Sequence, residues 1–126
     1  MIEDDQNGPM SFPNKILIAG ATGITGKLIV NRLCQLGMSL RVFVRDANRI
    51  SDSKNIEVVE GNALVNFDCE RAASGCDAII CSIGERRMPK DHSIVDGDGI
   101  INLIDAAQKG GVSRLILISS LGVGDT

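Results

Sequence analysis

With 126 residues the chain has room for one core rather than two, and three Phe with neither Trp nor Tyr leave that core to Ile, Leu, Val and Ala. A net charge of −3, with Lys and Arg scattered among acids, leaves no basic footprint and speaks against nucleic acid as a partner. No apolar run approaches the ~20 residues that cross a bilayer, and the acidic start Met1-Ile2-Glu3-Asp4-Asp5 is unlike a secretory or transit leader, so a soluble cytoplasmic protein is expected.

Residues 1–14 carry Gly8, Pro9 and Pro13 among polar residues and bury too little apolar surface to order themselves; they are expected to form a flexible arm ahead of a single domain over 15–126. Ile16-Leu17-Ile18-Ala19 is too short for a helix and stops at Gly20, which suits a strand buried on both faces. Ile29, Leu33 and Leu36 then recur at helical spacing, and Gly37 stands where a left-handed cap belongs. A second strand follows over Leu40 to Val44, then a polar segment from Asp46 to Asn55, then a third strand at Ile56 to Val59 before Gly61.

Phe67 to Ala73 reads as a weak helix, Ala78-Ile79-Ile80-Cys81 as a fourth strand, and Glu85-Arg86-Arg87 and Asp91-His92-Ser93 as charged and polar loops. Ile100, Leu103, Ile104 and Ala107 mark one face of a helix ending near Gly110-Gly111, and Leu115 to Ile118 supply a fifth strand. Strands alternating with helices imply parallel pairing through right-handed crossovers. The expected fold is therefore a doubly wound α/β sheet of Rossmann type, strand order 3-2-1-4-5, cut off after strand five. The four cysteines, Cys34, Cys69, Cys76 and Cys81, lack C-x-x-C spacing, and most fall in apolar segments, so neither a metal site nor a disulfide framework is indicated.

Gly20-Ala21-Thr22-Gly23-Ile24-Thr25-Gly26 lies between the first strand and the first helix, the context in which a glycine pattern cradles a pyrophosphate. Gly20 permits a tight exit from the strand, Gly23 a close approach of the phosphates, and Gly26 close packing of helix on sheet. Amides around Ile24 and Thr25, at the positive end of the helix dipole, would face the anion, with the Thr22 and Thr25 hydroxyls beside them. A bare glycine-rich turn without ligand is the competing reading. The absence of a Lys closing G-x-x-x-x-G-K-[ST] argues against a P-loop.

The G-x-x-G-x-x-G spacing, followed in order by Val44-Arg45-Asp46, Gly61-Asn62-Ala63 and Asn102-Leu103-Ile104-Asp105-Ala106-Ala107 leading to Ser119-Ser120-Leu121-Gly122, resembles the short-chain dehydrogenase/reductase superfamily. More narrowly it is similar to the atypical, NmrA-like branch. The resemblance covers Lys15 to Asp125 and implies an NAD(P)-binding domain without the substrate-binding part. An acid after strand two would chelate the ribose of NAD; Arg45 there, with Arg49 four residues on, suits the 2′-phosphate of NADP(H) and gives it preference over NAD(H). Asp46 offers the opposite reading, and solvated loop charges a third.

The resemblance further implies adenine contact by the turn after strand three, commonly through an acid where this chain has Asn62, and ribose contact by Ser82, Ile83 and Gly84. It puts a catalytic Ser after strand five, where Ser119 and Ser120 stand, and a Tyr as proton donor, which these 126 residues do not contain. Plain capping roles for Ser82, Ser119 and Ser120 remain open. His92, the single His, is read as a solvated loop residue. Two functional classes follow: an NADPH-dependent reductase acting on an unidentified small molecule, or an NADP(H)-binding sensor or assembly scaffold without turnover. An open edge at strand five invites self-association.

Overall fold

The computed structural model describes residues 14–21, 23–50, 56–82 and 92–118. Five parallel strands, β1 (Ile16–Ala19), β2 (Leu40–Val44), β3 (Ile56–Glu60), β4 (Ala78–Cys81) and β5 (Arg114–Leu117), form one sheet in the order β3-β2-β1-β4-β5. The expected order is borne out. Helices α1 (Ile24–Gln35), α2 (Asn66–Ala73) and α3 (His92–Gly110) cover it. Registers run without slip, Ile16 facing Leu40 on one side and Ala78 on the other.

Side chains on a strand alternate between faces, and β1 at the centre shows the consequence. Leu17 and Ala19 join Phe43, Ile79, Cys81, Cys69 and Leu103 in the core beneath α2 and α3. Ile16 and Ile18 join Leu40, Val42, Val44 and Ala78 beneath α1. All four β1 residues are buried, as a strand covered on both faces must be. At the edge the same apolar composition is exposed: Leu117 of β5 keeps 48% of its surface.

Gly37, at φ 79°, closes α1, with its N–H on the Cys34 carbonyl and the Met38 N–H on Leu33. Helix and apolar stripe end one residue earlier than the spacing suggests. Leu36 is the C-cap and 60% exposed, while Ile29, Val30, Leu33 and Cys34 make the contact with the sheet. On α3 the core-facing residues are Ile100, Leu103, Ala106 and Ala107; Ile104 turns to the margin, exposed.

Three further differences from the expected elements stand out. His92 opens α3 rather than lying in a loop; its first turn lacks the apolar periodicity by which a helix is read from sequence. Ala47–Arg49, inside the polar segment after β2, forms a short 3-10 turn. Asn14 is tied down, its N–H donating to Asp77 Oδ2 at 2.6 Å; the remainder of the expected arm lies outside the described residues. Lys15, Glu57 and Arg41 form an ion-paired cluster across β1, β2 and β3, and Arg41 Nη1 also donates to the Ala72 and Ser74 carbonyls at the end of α2. The Lys15 hydrogen bond foremost holds the Glu57 carboxyl below its ordinary pKa.

Candidate functional site

The carboxyl ends of parallel strands carry the ligand crevice of an open α/β sheet, at the point where the strand order reverses. Here that point lies between β1 and β4. Gly20 leaves β1 at φ 89°, a left-handed conformation that side chains rarely adopt. A Cβ there would also stand 2.8 Å from the Ser82 backbone carbon, and a Cβ on Gly26 would overlap the Gly20 carbonyl oxygen. The turn is thus packed backbone on backbone, which no residue with a side chain permits.

The Gly23 N–H donates to the Gly20 carbonyl at 3.2 Å, and Gly23, extended, is the N-cap of α1. The helix opens with no side-chain cap and no acid in its first turn, and the Lys27 N–H bonds the Gly23 carbonyl. Its positive end faces the crevice with no carboxylate of its own first turn to neutralise it, the arrangement that attracts a phosphate. Ile24, the first helical residue, is 79% exposed, and Thr25 is half-buried.

Ser82 is buried at 3% exposure. Its N–H donates to the Ala19 carbonyl and its hydroxyl lies 3.4 Å and 3.3 Å from the Ala19 and Gly20 carbonyls, so it locks the ends of β4 and β1 together. Its hydrogen bonds describe a brace between the two strand ends.

At the end of β2, Arg45 is exposed and Asp46 is occupied: its carboxylate accepts the Asn48 N–H at 3.0 Å as N-cap of the 3-10 turn. After β3, Asn62 heads a loop held from three directions. Its N–H donates to Asp68 Oδ2 at 2.9 Å, its own Oδ1 accepts the Leu64 N–H at 2.9 Å, and Asn102 of α3 donates Nδ2 to the Ala63 carbonyl at 2.8 Å. The Asn62 N–H foremost, and then Arg71, keep the Asp68 carboxyl below its ordinary pKa. Burial above all, with Asp68, Cys81 and Glu70 adding, pushes the Cys69 thiol up to about 11, so beneath this loop it is a neutral packing group rather than a nucleophile.

The structure therefore gathers Gly20, Gly23, Ile24, Thr25, Gly26, Arg45, Asn62 and Ser82 along one edge of the sheet. Thr22, Gly84, Ser119 and Ser120, with Ile83 and 85–87, lie outside the described residues. Asp68, Asn102 and the capping role of Asp46 were not evident from spacing. Asp46-x-Asn48 carried a turn signal, but Asn102 acts across 39 residues and left none. A cavity of about 470 Å³ between β3 and α2, lined by Arg41, Glu57, Phe67 and Arg71 among others, is remote from the glycine turn. No group of His, Cys, Asp and Glu among the described residues is arranged to hold a metal, and no helix among them is long and apolar enough to cross a membrane.

Residues 20–126 match the family model for NAD(P)H-binding proteins. The chain belongs to the NAD(P)H-binding family. It is 34% identical over 115 residues to an uncharacterized chloroplastic protein of Arabidopsis thaliana, At2g34460, covering 85% of this chain and 41% of that one. It is 30% identical over 132 residues to the chloroplastic protein TIC 62 of Pisum sativum, covering 86% of this chain and 25% of the relative. The chain thus spans less than half the length of these relatives.

Among solved structures, uronate dehydrogenase from Agrobacterium tumefaciens, as a Y136A mutant complexed with NAD, superposes with a TM-score of 0.73 at 25% identity, over 85% of this chain and 41% of that one. The kinship with short-chain dehydrogenases/reductases and their NmrA-like branch, expected from the glycine turn, is borne out.

Proposed function

We propose that the chain is the cofactor-binding part of an atypical short-chain dehydrogenase/reductase that uses NADPH to reduce a small molecule. One observation carries the cofactor preference: Arg45 stands exposed directly after β2, while Asp46 beside it accepts the Asn48 N–H as N-cap of the 3-10 turn. A guanidinium so placed can take the 2′-phosphate bidentately.

When bound, NADP(H) supplies the hydride. The chain's own contribution is placement: the Gly20 to Gly26 backbone and the positive end of α1 hold the pyrophosphate, and Arg45 holds the 2′-phosphate. Ser119 and Ser120 would polarise the substrate carbonyl. NADPH and NADH titrations on the wild type and on Arg45→Ala test the assignment. The expected result is a loss of about tenfold or more for NADPH, equivalent to roughly 1.4 kcal/mol, with NADH unchanged. An NADPH affinity that survives the substitution overturns it.

The second reading is an NADP(H) sensor or scaffold without turnover, which would use the same glycine turn and Arg45. Incubation of NADPH with quinones, flavins and aldehydes tests the two: oxidation of NADPH excludes the sensor. Self-association through the exposed edge of β5 belongs to either reading, and sedimentation at several concentrations checks it.

A further inference from the structure

β3 ends the sheet on one side, and no further strand lies beyond it among the described residues. The Gly61 N–H donates to the Val44 carbonyl of β2, and backbone groups alternate in direction along a strand. Val59 and Glu57 therefore turn their groups inward to β2, while the Val58 N–H and carbonyl and the Glu60 N–H point outward. The Glu60 carbonyl points the same way and accepts from Arg71 Nη2 at 3.0 Å, so that guanidinium ends the open stretch.

Along this edge, on the α2 face, lies the cavity of about 470 Å³. Val59 and Phe67 are its apolar walls, and its charges cancel, Arg41 and Arg71 against Glu57 and Glu70. Phe67 leaves 68% of its surface uncovered at the rim. Side chains alternate too, so Val58 and Glu60 share the opposite face. The Glu60 carboxylate has no counter-ion among the described residues, whereas Glu57 is paired with Lys15 and Arg41.

An open edge beside a groove suits an extended peptide added as one more strand: its backbone bonds give affinity, and alternate side chains enter the groove. Charge excludes the two occupants this chain could itself supply. Every antiparallel register of β3 on a second copy sets Glu60 against Ile56, Val58 or another Glu60, so no base meets the acid. Residues 1–13 carry Glu3, Asp4 and Asp5 and no base, repeating the sign of Glu60.

We propose that the open edge of β3, with the β3–α2 cavity, is a docking site for an extended segment of a partner protein that carries a basic residue followed by an apolar one. The segment lies antiparallel to β3, its Lys or Arg facing Glu60. The next residue faces Val59 and enters the cavity against Phe67, where cancelled charges favour a neutral side chain. The residue after that exchanges both backbone bonds with Val58. The site is remote from the glycine turn, so docking leaves the cofactor crevice open.

Synthetic peptides of about six residues, the usual length of a strand, are titrated onto the full chain and followed by amide chemical shifts. The probe alternates Thr and Val around one Lys; a second peptide has Glu for the Lys, and two more carry a single N-methyl group, on the amide facing Val58 or on its outward neighbour. Shifts should centre on the Val58 and Glu60 amides and the Phe67 ring. The Glu peptide and the peptide methylated towards Val58 should each bind about tenfold more weakly, and outward methylation should change little. Glu60→Lys should reverse the order of the Lys and Glu peptides. Val58→Pro, which removes an outward N–H and spares the ladder to β2 as edge prolines do, should weaken the Lys peptide about tenfold.

If Val58→Pro loosens β3, the two methylated peptides on the wild-type chain decide in its place. Equal loss from either methylation overturns strand addition. A preference for Lys that survives Glu60→Lys overturns the charge match. No binding of the Lys peptide up to about 1 mM, or shifts centred elsewhere, overturns the site. Sedimentation of the wild-type chain as a dimer that Val58→Pro dissolves makes a second copy the occupant and overturns the partner.

Discussion

Two loops at the carboxyl edge of the sheet, after β1 and after β3, are held by opposite means. The Gly20 to Gly26 turn owes its shape to side chains that are missing: φ 89° at Gly20, and backbone against backbone where a Cβ would overlap. The 61–65 loop owes its shape to side chains that are present, Asp68, Asn62 itself and Asn102. The first device leaves no room for a side chain at Gly20, where Ser82 stands against the backbone, or at Gly26. The second is graded, and each bond can be removed separately with a proportionate effect.

Substitutions that break this contrast fall in a sequence of expected size. Gly26→Ala should cost most, because the added methyl meets the Gly20 carbonyl with only backbone to yield. A destabilisation of about 3 kcal/mol is expected from overpacking of this kind, read from urea unfolding, together with loss of NADPH binding. A variant as stable as the wild type would show that the helix can slide away from the strand.

Asn102→Leu should cost about 1–2 kcal/mol, the range for leaving a buried carbonyl without one of its donors, and should leave the glycine turn's exchange protection intact. Equal loosening of both loops would mean that they form one unit, not two. Gly37→Ala, at φ 79° with open space around its Cβ position, should cost about 1 kcal/mol through the helix cap alone and spare both loops.

The smallest effect concerns pH. The Asp68 carboxyl titrates lower in the folded chain than in the unfolded one, so its contribution to stability is complete above the unfolded value, near 3.9, and is lost as pH falls through the folded value. Acid should therefore release the Asn62 N–H while the glycine turn, which has no carboxylate in it, stays protected. Asp68→Asn, which keeps an acceptor but no charge, should flatten that dependence. Exchange rates of the Asn62 amide between pH 3 and 6 would show it, and an unchanged profile in the variant would exclude Asp68 as the titrating group.

The same contrast explains what could be read before the fold was known. Gly20, Gly23 and Gly26 fall within seven residues, where the Gly23 N–H bonds the Gly20 carbonyl and a Cβ on Gly26 would overlap it, so their pattern carries the turn and the chain's place among NAD(P)H-binding proteins. The strands were equally legible because burial on both faces demands uninterrupted apolar runs, and β1 and β4 begin and end where those runs do. Less legible were the start of α3 at His92 and two segments held by polar groups, the 3-10 turn after Asp46 and Asn14 anchored on Asp77.

By itself, then, the sequence determined the α/β alternation and the phosphate-holding turn, because each follows from local sterics or from apolar periodicity, and the strand order followed from the doubly wound fold that the alternation implies. Only the tertiary structure decided that the Ser82 hydroxyl lies against the Ala19 and Gly20 carbonyls, that Asp46 caps a 3-10 turn beside an exposed Arg45, and that the Asn62 side chain accepts from the Leu64 N–H. A hydrogen bond assigns such roles, and its partner, 62 residues away for Ser82 and 39 for Asn102, is chosen by packing rather than by neighbours in the chain.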